Sequence, residues 1–206
     1  YYQKAATPAA HDLYRSEWSA AIRRLRNHPS IFDWSMSNEM WGGFPLAADL
    51  YRIAKQLDPP RLVIDADGLP PAEFLAGTGD RPTLDFYAVQ FNCHALPLDQ
   101  PNKHHVAGEP RKPVICHETG NYTTFPRPRE ADAFTHNFKP FWLTPMRPKL
   151  EKLGLLGEAD RWAEHSEKLY LLSHKMNIED LRKSPRISGY EWWLFQEYWT
   201  GTNGLV

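Results

Sequence analysis

Ten residues, Ser30 to Glu39, constrain this chain more than any other stretch. They follow Asn27-His28-Pro29, and proline, which has no N–H to give to a ladder, suits the residue before a strand. Side chains alternate along an extended backbone. Phe32, Trp34, Met36 and Asn38 therefore take one face, and Asp33, Ser35, Ser37 and Glu39 the other. The first face is bulky and fit to pack on helices. The second is small and polar, and it ends on a carboxylate. In a barrel of parallel strands that face points inward and lifts Glu39 to the C-terminal rim, where such folds place their chemistry.

Around this stretch the chain alternates between helical and strand patterns. Tyr14, Trp18, Ala21, Ile22 and Leu25 fall at helical spacing and predict a helix over 11–27. Leu46, Leu50, Ile53, Ala54 and Leu57 predict a second over 46–57, ended by Asp58-Pro59-Pro60. A short apolar strand follows at 61–65, closed by Asp67-Gly68. Residues 69–82, rich in proline and glycine, read as loop; 84–92 and 112–120 read as strands. The stretch 121–148 has no clear period. Helices are predicted over 149–156 and 158–181, the longer with apolar positions at Trp162, Leu169, Leu172, Met176 and Ile178. A last strand is predicted over 187–196. Such alternation points to an α/β fold with parallel pairing through crossovers.

The chain has 206 residues, a formal charge of -1 and 42% hydrophobic residues, the profile of one globular domain over 1–206 with material for a sizeable core. Near-neutral charge without a basic run argues against a nucleic-acid partner. No run approaches the eighteen or so apolar residues of a membrane span. The opening Tyr1-Tyr2-Gln3-Lys4 has no signal-peptide character, which says nothing about secretion and leaves localisation open. Cys93 and Cys116 form neither a disulfide framework nor a metal-finger spacing, and both are expected to stay thiols. The eight tryptophans suit stacking on sugar rings and core packing equally well.

Arg24-Leu25-Arg26-Asn27-His28-Pro29-Ser30-Ile31, followed by Trp34-Ser35-Met36-Ser37-Asn38-Glu39, resembles the acid/base segment of glycoside hydrolase family 2. That family comprises β-galactosidases, β-glucuronidases, β-mannosidases and their relatives, with a (β/α)8 catalytic barrel and a retaining mechanism. The resemblance implies that the five predicted strands are strands four to eight of a TIM (β/α)8 barrel. A closed barrel typically takes about 250 residues. The chain is accordingly expected to be the C-terminal part of such a barrel, with further domains of the same polypeptide upstream.

A retaining glycosidase needs a second carboxyl at another strand end. Lys112-Pro113-Val114-Ile115-Cys116-His117-Glu118-Thr119-Gly120 is similar to the family's strand-seven segment, in which an apolar run ends in the nucleophilic Glu. The resemblance thus implies Glu39 as acid/base and Glu118 as nucleophile. It implies that Asn38 bonds the substrate 2-hydroxyl, and it adds Trp41 to the substrate-binding set. Gly189-Tyr190-Glu191-Trp192-Trp193 is similar to strand eight, where a Trp floors the sugar subsite; Trp193 fits best, and a one-residue slip selects Trp192. Glu197 stands where relatives often have Asp. Many relatives end strand six in a Tyr, whereas this chain reads Phe91-Asn92-Cys93-His94, so either Asn92 or His94 takes that place or the register of the strand differs.

The resemblance implies a carbohydrate substrate, cleaved at a β-glycosidic bond by a two-glutamate double displacement, without a cofactor or metal. Two rivals come from other classes. His94, His104, His105, His117 and Glu118 offer zinc-type ligands, but no His-x-x-x-His pair lies on a predicted helix, and alternation separates His117 from Glu118. The other is a tryptophan-rich barrel remnant that binds glycans without cleaving them or serves as a scaffold.

Overall fold

The computed structural model describes residues 7–40, 45–90, 109–135, 137 and 139–195. They form five α-helices and five β-strands: α1 (Pro8–Leu25), β1 (Asp33–Ser35), α2 (Ala47–Leu57), β2 (Leu62–Ile64), α3 (Pro71–Ala76), β3 (Tyr87–Val89), β4 (Val114–Thr119), α4 (Met146–Lys152), α5 (Ala159–Lys183) and β5 (Gly189–Trp192). Among the described residues, no helix is long and apolar enough to cross a membrane. The chain divides into two compact units. One comprises Tyr1–Phe91, Val106–His117 and Arg186–Gly189, the other Asn92–His105, Glu118–Pro185 and Tyr190–Val206.

In the first unit, α1 begins where Pro8 occupies the first turn and the Thr7 hydroxyl accepts from the Ala10 N–H at 3.2 Å. That start lies three residues ahead of the sequence reading, which followed apolar spacing and overlooked the cap. Helices α1 and α2 cover β1 and β2. Ile22, Trp34, Ala54 and Val63 form the core between them, flanked by Trp18, Leu25, Ile31 and Met36. The Trp18 indole stands edge-on to Trp34 at 6.3 Å and donates to the Leu50 carbonyl at 2.9 Å.

Strands β1 and β2 pair in parallel with Trp34 opposite Val63, and β3 and β4 pair in parallel with Ala88 opposite Ile115. Single parallel bridges, Asn38 to Asp67 and Leu69 to Val89, carry the pairing from β1 through the end of β2 to β3. At the β5 side of β4, the Ser188 N–H donates to the Val114 carbonyl at 2.7 Å. All five predicted strands are present, but each is shorter than its apolar run. In β1 the reason is local. The Ser37 hydroxyl donates to the Asp65 carbonyl at 2.6 Å, and the Ser35 hydroxyl donates to the Asp67 carboxylate, so short polar side chains interrupt the ladder before it resumes at Asn38.

One consequence corrects the expected face. Phe32 lies ahead of β1 and is 54% exposed, its ring against Phe86 rather than among the helices. A second correction is α3, within the stretch expected to be loop. Pro71 supplies the preset φ of a first helical turn, and Gly77, at φ +71°, closes the helix in the left-handed region.

The segment leading into β1 is pinned from β2. Arg61 donates to the carbonyls of Arg26, His28 and Ile31 at 2.5, 2.7 and 2.6 Å, and pairs with Asp58 at 2.5 Å. Asp58 in turn accepts from the Trp34 indole at 3.0 Å. One guanidinium thus fixes the Asn27-His28-Pro29 turn and hence the start of the strand.

In the second unit, α5 packs along the chain that follows β4. The Phe125 N–H donates to the Ser166 hydroxyl at 2.8 Å, and Phe125 stands edge-on to Trp162 at 5.4 Å. The buried stripe of α5 is not the expected apolar one. Leu169 and Leu172 are exposed, and the helix buries Ala163, Tyr170, Ser173, His174, Asn177, Asp180 and Leu181. Side chains on this face hydrogen-bond the loop after β4, so polar groups occupy positions that a hydropathy pattern assigns to the surface.

Candidate active site

The two glutamates singled out by the sequence share a backbone property. Among the described non-glycine residues, Glu39 at φ +54° and Glu118 at φ +49° alone have positive φ. For a side chain with a Cβ this region costs of order 1–3 kcal/mol, and it persists only where the surroundings enforce it. Glu39 follows β1 and Glu118 is the penultimate residue of β4, so both stand at C-terminal ends of strands.

In the first unit the enforcing contacts around Glu39 are clear. Its N–H donates to the Asp67 carbonyl at 2.8 Å, and the Asp67 N–H donates to the Ser37 carbonyl at 3.0 Å. Its carboxylate Oε1 accepts from the Gln90 side-chain amide at 2.6 Å. Gly68, at φ +79°, lies beneath its aliphatic stem. A Cβ there would meet Glu39 Cγ at 3.0 Å and His117 Cδ2 at 3.2 Å, so the position needs glycine for both backbone and space. Asn38, the proposed partner of a substrate hydroxyl, is exposed beside Glu39 and bridges Asp67 through its backbone.

In the second unit Glu118 is half-buried, and the residues after it are held by ring packing. The His174 Nε2 lies 2.8 Å from the Gly120 carbonyl. A carbonyl only accepts, so Nε2 carries the hydrogen. Around this imidazole stand Tyr170 at 3.9 Å, Trp192 at 4.1 Å and Tyr122 at 5.3 Å. Burial lowers the His174 pKa, against the raising effect of the Gly120 carbonyl. Asn177 donates to the Tyr122 hydroxyl at 3.1 Å. Gly120, at φ +84°, lies in the left-handed region that disfavours a side chain, and a Cβ there would sit a tight 3.1 Å from His174 Nε2. Trp193 is half-buried, and its N–H donates to the Thr119 carbonyl at 2.9 Å, next in chain to Glu118.

Of the predicted site residues, Asn38 and Glu39 fall in the first unit, and Glu118 and Trp193 in the second. Trp41, Asn92, His94 and Glu197 lie outside the described residues, as do Cys93, His104 and His105. Cys116 is buried within β4. Sequence reasoning left out Gln90, Gly68 and His174, which lie beside the candidate glutamates or the residues after them, and took Gly120 only as part of the strand-seven segment. Gln90 was readable only as one polar residue within an apolar run, and His174 as one polar residue of a helix. The glycines had a signal, since each follows a polar strand end directly.

Parallel strands linked through helices, with glutamates at their C-terminal ends, define an α/β protein of the kind that builds its active site at the strand tips. The profile of glycosyl hydrolases family 2, TIM barrel domain, matches residues 1–125, more than half of the chain, and the chain belongs to that family. The match includes both Asn38-Glu39 and Glu118, while Trp193 lies beyond it. A protein of Formosa agariphila named "Putative beta-glucuronidase" is 28% identical over 107 residues, 50% of this chain and 9% of that relative. The chain therefore corresponds to a small part of the relative's length.

Proposed function

We propose that the protein of which this chain is part is a retaining β-glycosidase, with Glu118 as nucleophile and Glu39 as acid/base. One observation carries the reading: the two glutamates that the family resemblance selects are the two described non-glycine residues held at positive φ. Such strain gathers at functional sites, where a fixed side-chain direction repays it. In this reading residues 1–206 supply strands four to eight of the catalytic (β/α)8 barrel, with the remaining strands upstream. The substrate is a carbohydrate held by Asn38 at its 2-hydroxyl and by Trp193 beneath the ring. Trp41, Asn92 or His94, and Glu197 complete the subsite.

The chemistry follows from the two roles. Glu118 attacks the anomeric carbon while protonated Glu39 gives its proton to the departing oxygen. The glycosyl-enzyme is then opened by water, which Glu39, now the base, deprotonates. Double displacement returns the original configuration and requires the carboxyls to lie roughly 5 to 5.5 Å apart across the scissile bond. The name of the relative makes aryl β-glucuronides the first substrates to try, followed by β-galactosides and β-mannosides.

The test is proton NMR of the first-formed sugar, with azide rescue of each variant in the full-length protein. Wild type should release the β-anomer first. Glu118→Ala should lose turnover of every substrate, and azide should restore it with inverted configuration. Glu39→Ala should keep its first step for aryl glycosides with good leaving groups, then stall until azide rescues it with retention. An inverted first anomer from wild type, or full activity in Glu118→Ala, overturns the assignment.

A further inference from the structure

Glu39 is held at two points, by groups with different chemistry. Gly68 lies against its stem, with Cγ only 3.0 Å from where a glycine Cβ would be. Gln90 holds its head, donating from Nε2 to Oε1 at 2.6 Å. Gln90 is itself fixed, because it directly follows β3 and its N–H donates to the Leu69 carbonyl at 3.0 Å. The Leu69 N–H reaches back to the Ala88 carbonyl at 2.7 Å. A chain of short bonds thus runs from the ladder to the carboxyl head.

We infer that Gln90 is a positioning residue for Glu39, reserving Oε1 for itself and leaving Oε2 as the oxygen that carries the proton; this rests on the acid/base role of Glu39. The amide is suited to that task because it is neutral. A lysine or arginine in its place would favour the ionised carboxylate and oppose proton donation. The Gln90 bond also survives both protonation states. An ionised carboxylate accepts at Oε1, and a carboxylic acid protonated on Oε2 still presents Oε1 as a carbonyl acceptor. The carboxyl therefore keeps one orientation as it gives its proton in the first step and takes one from water in the second. Without the amide the carboxyl head turns about its Cβ–Cγ and Cγ–Cδ bonds, and in most of the orientations it then samples the acid proton does not face the leaving oxygen.

This role has a kinetic signature distinct from a general loss of fold or affinity. The experiment takes Gln90→Leu, Gln90→Asn and Glu39→Ala in the full-length protein. Each is assayed on 2,4-dinitrophenyl and methyl β-glycosides of the sugar turned over in the retention experiment. The dinitrophenolate leaves without a proton, whereas methoxide needs one. In Gln90→Leu, kcat/KM for the methyl glycoside should fall by about 10- to 100-fold, a fraction of the ~10²–10⁴ supplied by general acid–base catalysis. On the dinitrophenyl glycoside kcat/KM should stay within about twofold of wild type by the same reasoning, while kcat falls because the base step is impaired. Gln90→Asn, which keeps the amide but shortens its reach, should fall between. Equal losses on both substrates, or no loss on either, overturn the inference. Glu39→Ala separates the two levels of the argument. If it shows the leaving-group dependence and Gln90→Leu does not, only the role of Gln90 fails; if Glu39→Ala itself does not, the acid/base assignment fails.

Discussion

Gly68 and Gly120 each sit beside a glutamate at a strand end, and in both a missing side chain makes room for an imidazole. At Gly68 a Cβ would meet His117 Cδ2 at 3.2 Å as well as Glu39 Cγ at 3.0 Å; at Gly120 it would meet His174 Nε2 at 3.1 Å. Gly68→Ala imposes two costs. The left-handed backbone disfavours any side chain by roughly 1–2 kcal/mol, and the new methyl must displace the Glu39 stem. The variant should remain folded, with a lower denaturation midpoint and a fall in kcat larger than any change in KM. Urea titration beside steady-state kinetics reads both effects. A variant that loses stability but keeps wild-type kcat would show that Gly68 serves the turn alone.

Among elements, β1 shows how much of a functional strand is decided by its neighbours. Its ladder covers Asp33–Ser35, yet the chain is held against the β2 end as far as Asn38 by side-chain bonds and by the Asn38–Asp67 bridge. Its start is set by Arg61, whose guanidinium spans three carbonyls ahead of the strand and the carboxylate of Asp58, itself 6% exposed. Arg61→Ala would leave that carboxylate buried without its cation, and such losses run to about 3–5 kcal/mol. Arg61→Lys should recover only a small part, because one ammonium cannot span carbonyls arranged for a planar fork. Equilibrium denaturation of the two variants checks the order. Equal stability of wild type and Arg61→Lys would mean that the charge, rather than the fork, is what holds the turn.

At the scale of the molecule, the residues assigned to catalysis are divided between two compact units, Glu39 in one and Glu118 in the other. Groups that act in one reaction coordinate are strongly non-additive, since once the nucleophile is gone the acid has nothing left to assist. The Glu39→Ala/Glu118→Ala double variant of the full-length protein should therefore be no slower than Glu118→Ala alone. Single-turnover rates on the methyl glycoside, whose departure needs the proton and on which each single variant is impaired, make the comparison. Losses that multiply would show two independent contributions and no shared transition state.

Sequence alone determined the alternation of helix and strand outside α3 and the five strand locations, because apolar period is local in the chain; the two glutamates were singled out by the resemblance of the segments that carry them. It also placed Trp34 in the core and Ser35 and Ser37 on the opposite face, as period-two alternation requires. It misjudged Phe32 and the buried face of α5, since alternation holds only as far as the ladder runs and buried His174 and Asn177 look like surface residues until their partners are known. The positive φ of Glu39 and Glu118, the imidazoles over Gly68 and Gly120, and the amide of Gln90 on Glu39 were decided by tertiary structure. Each joins residues separated by tens of positions, Gln90 and Glu39 by 51. No local pattern encodes such a meeting, because it exists only once strand ends, and for Gly120 helix α5, are brought together in the fold.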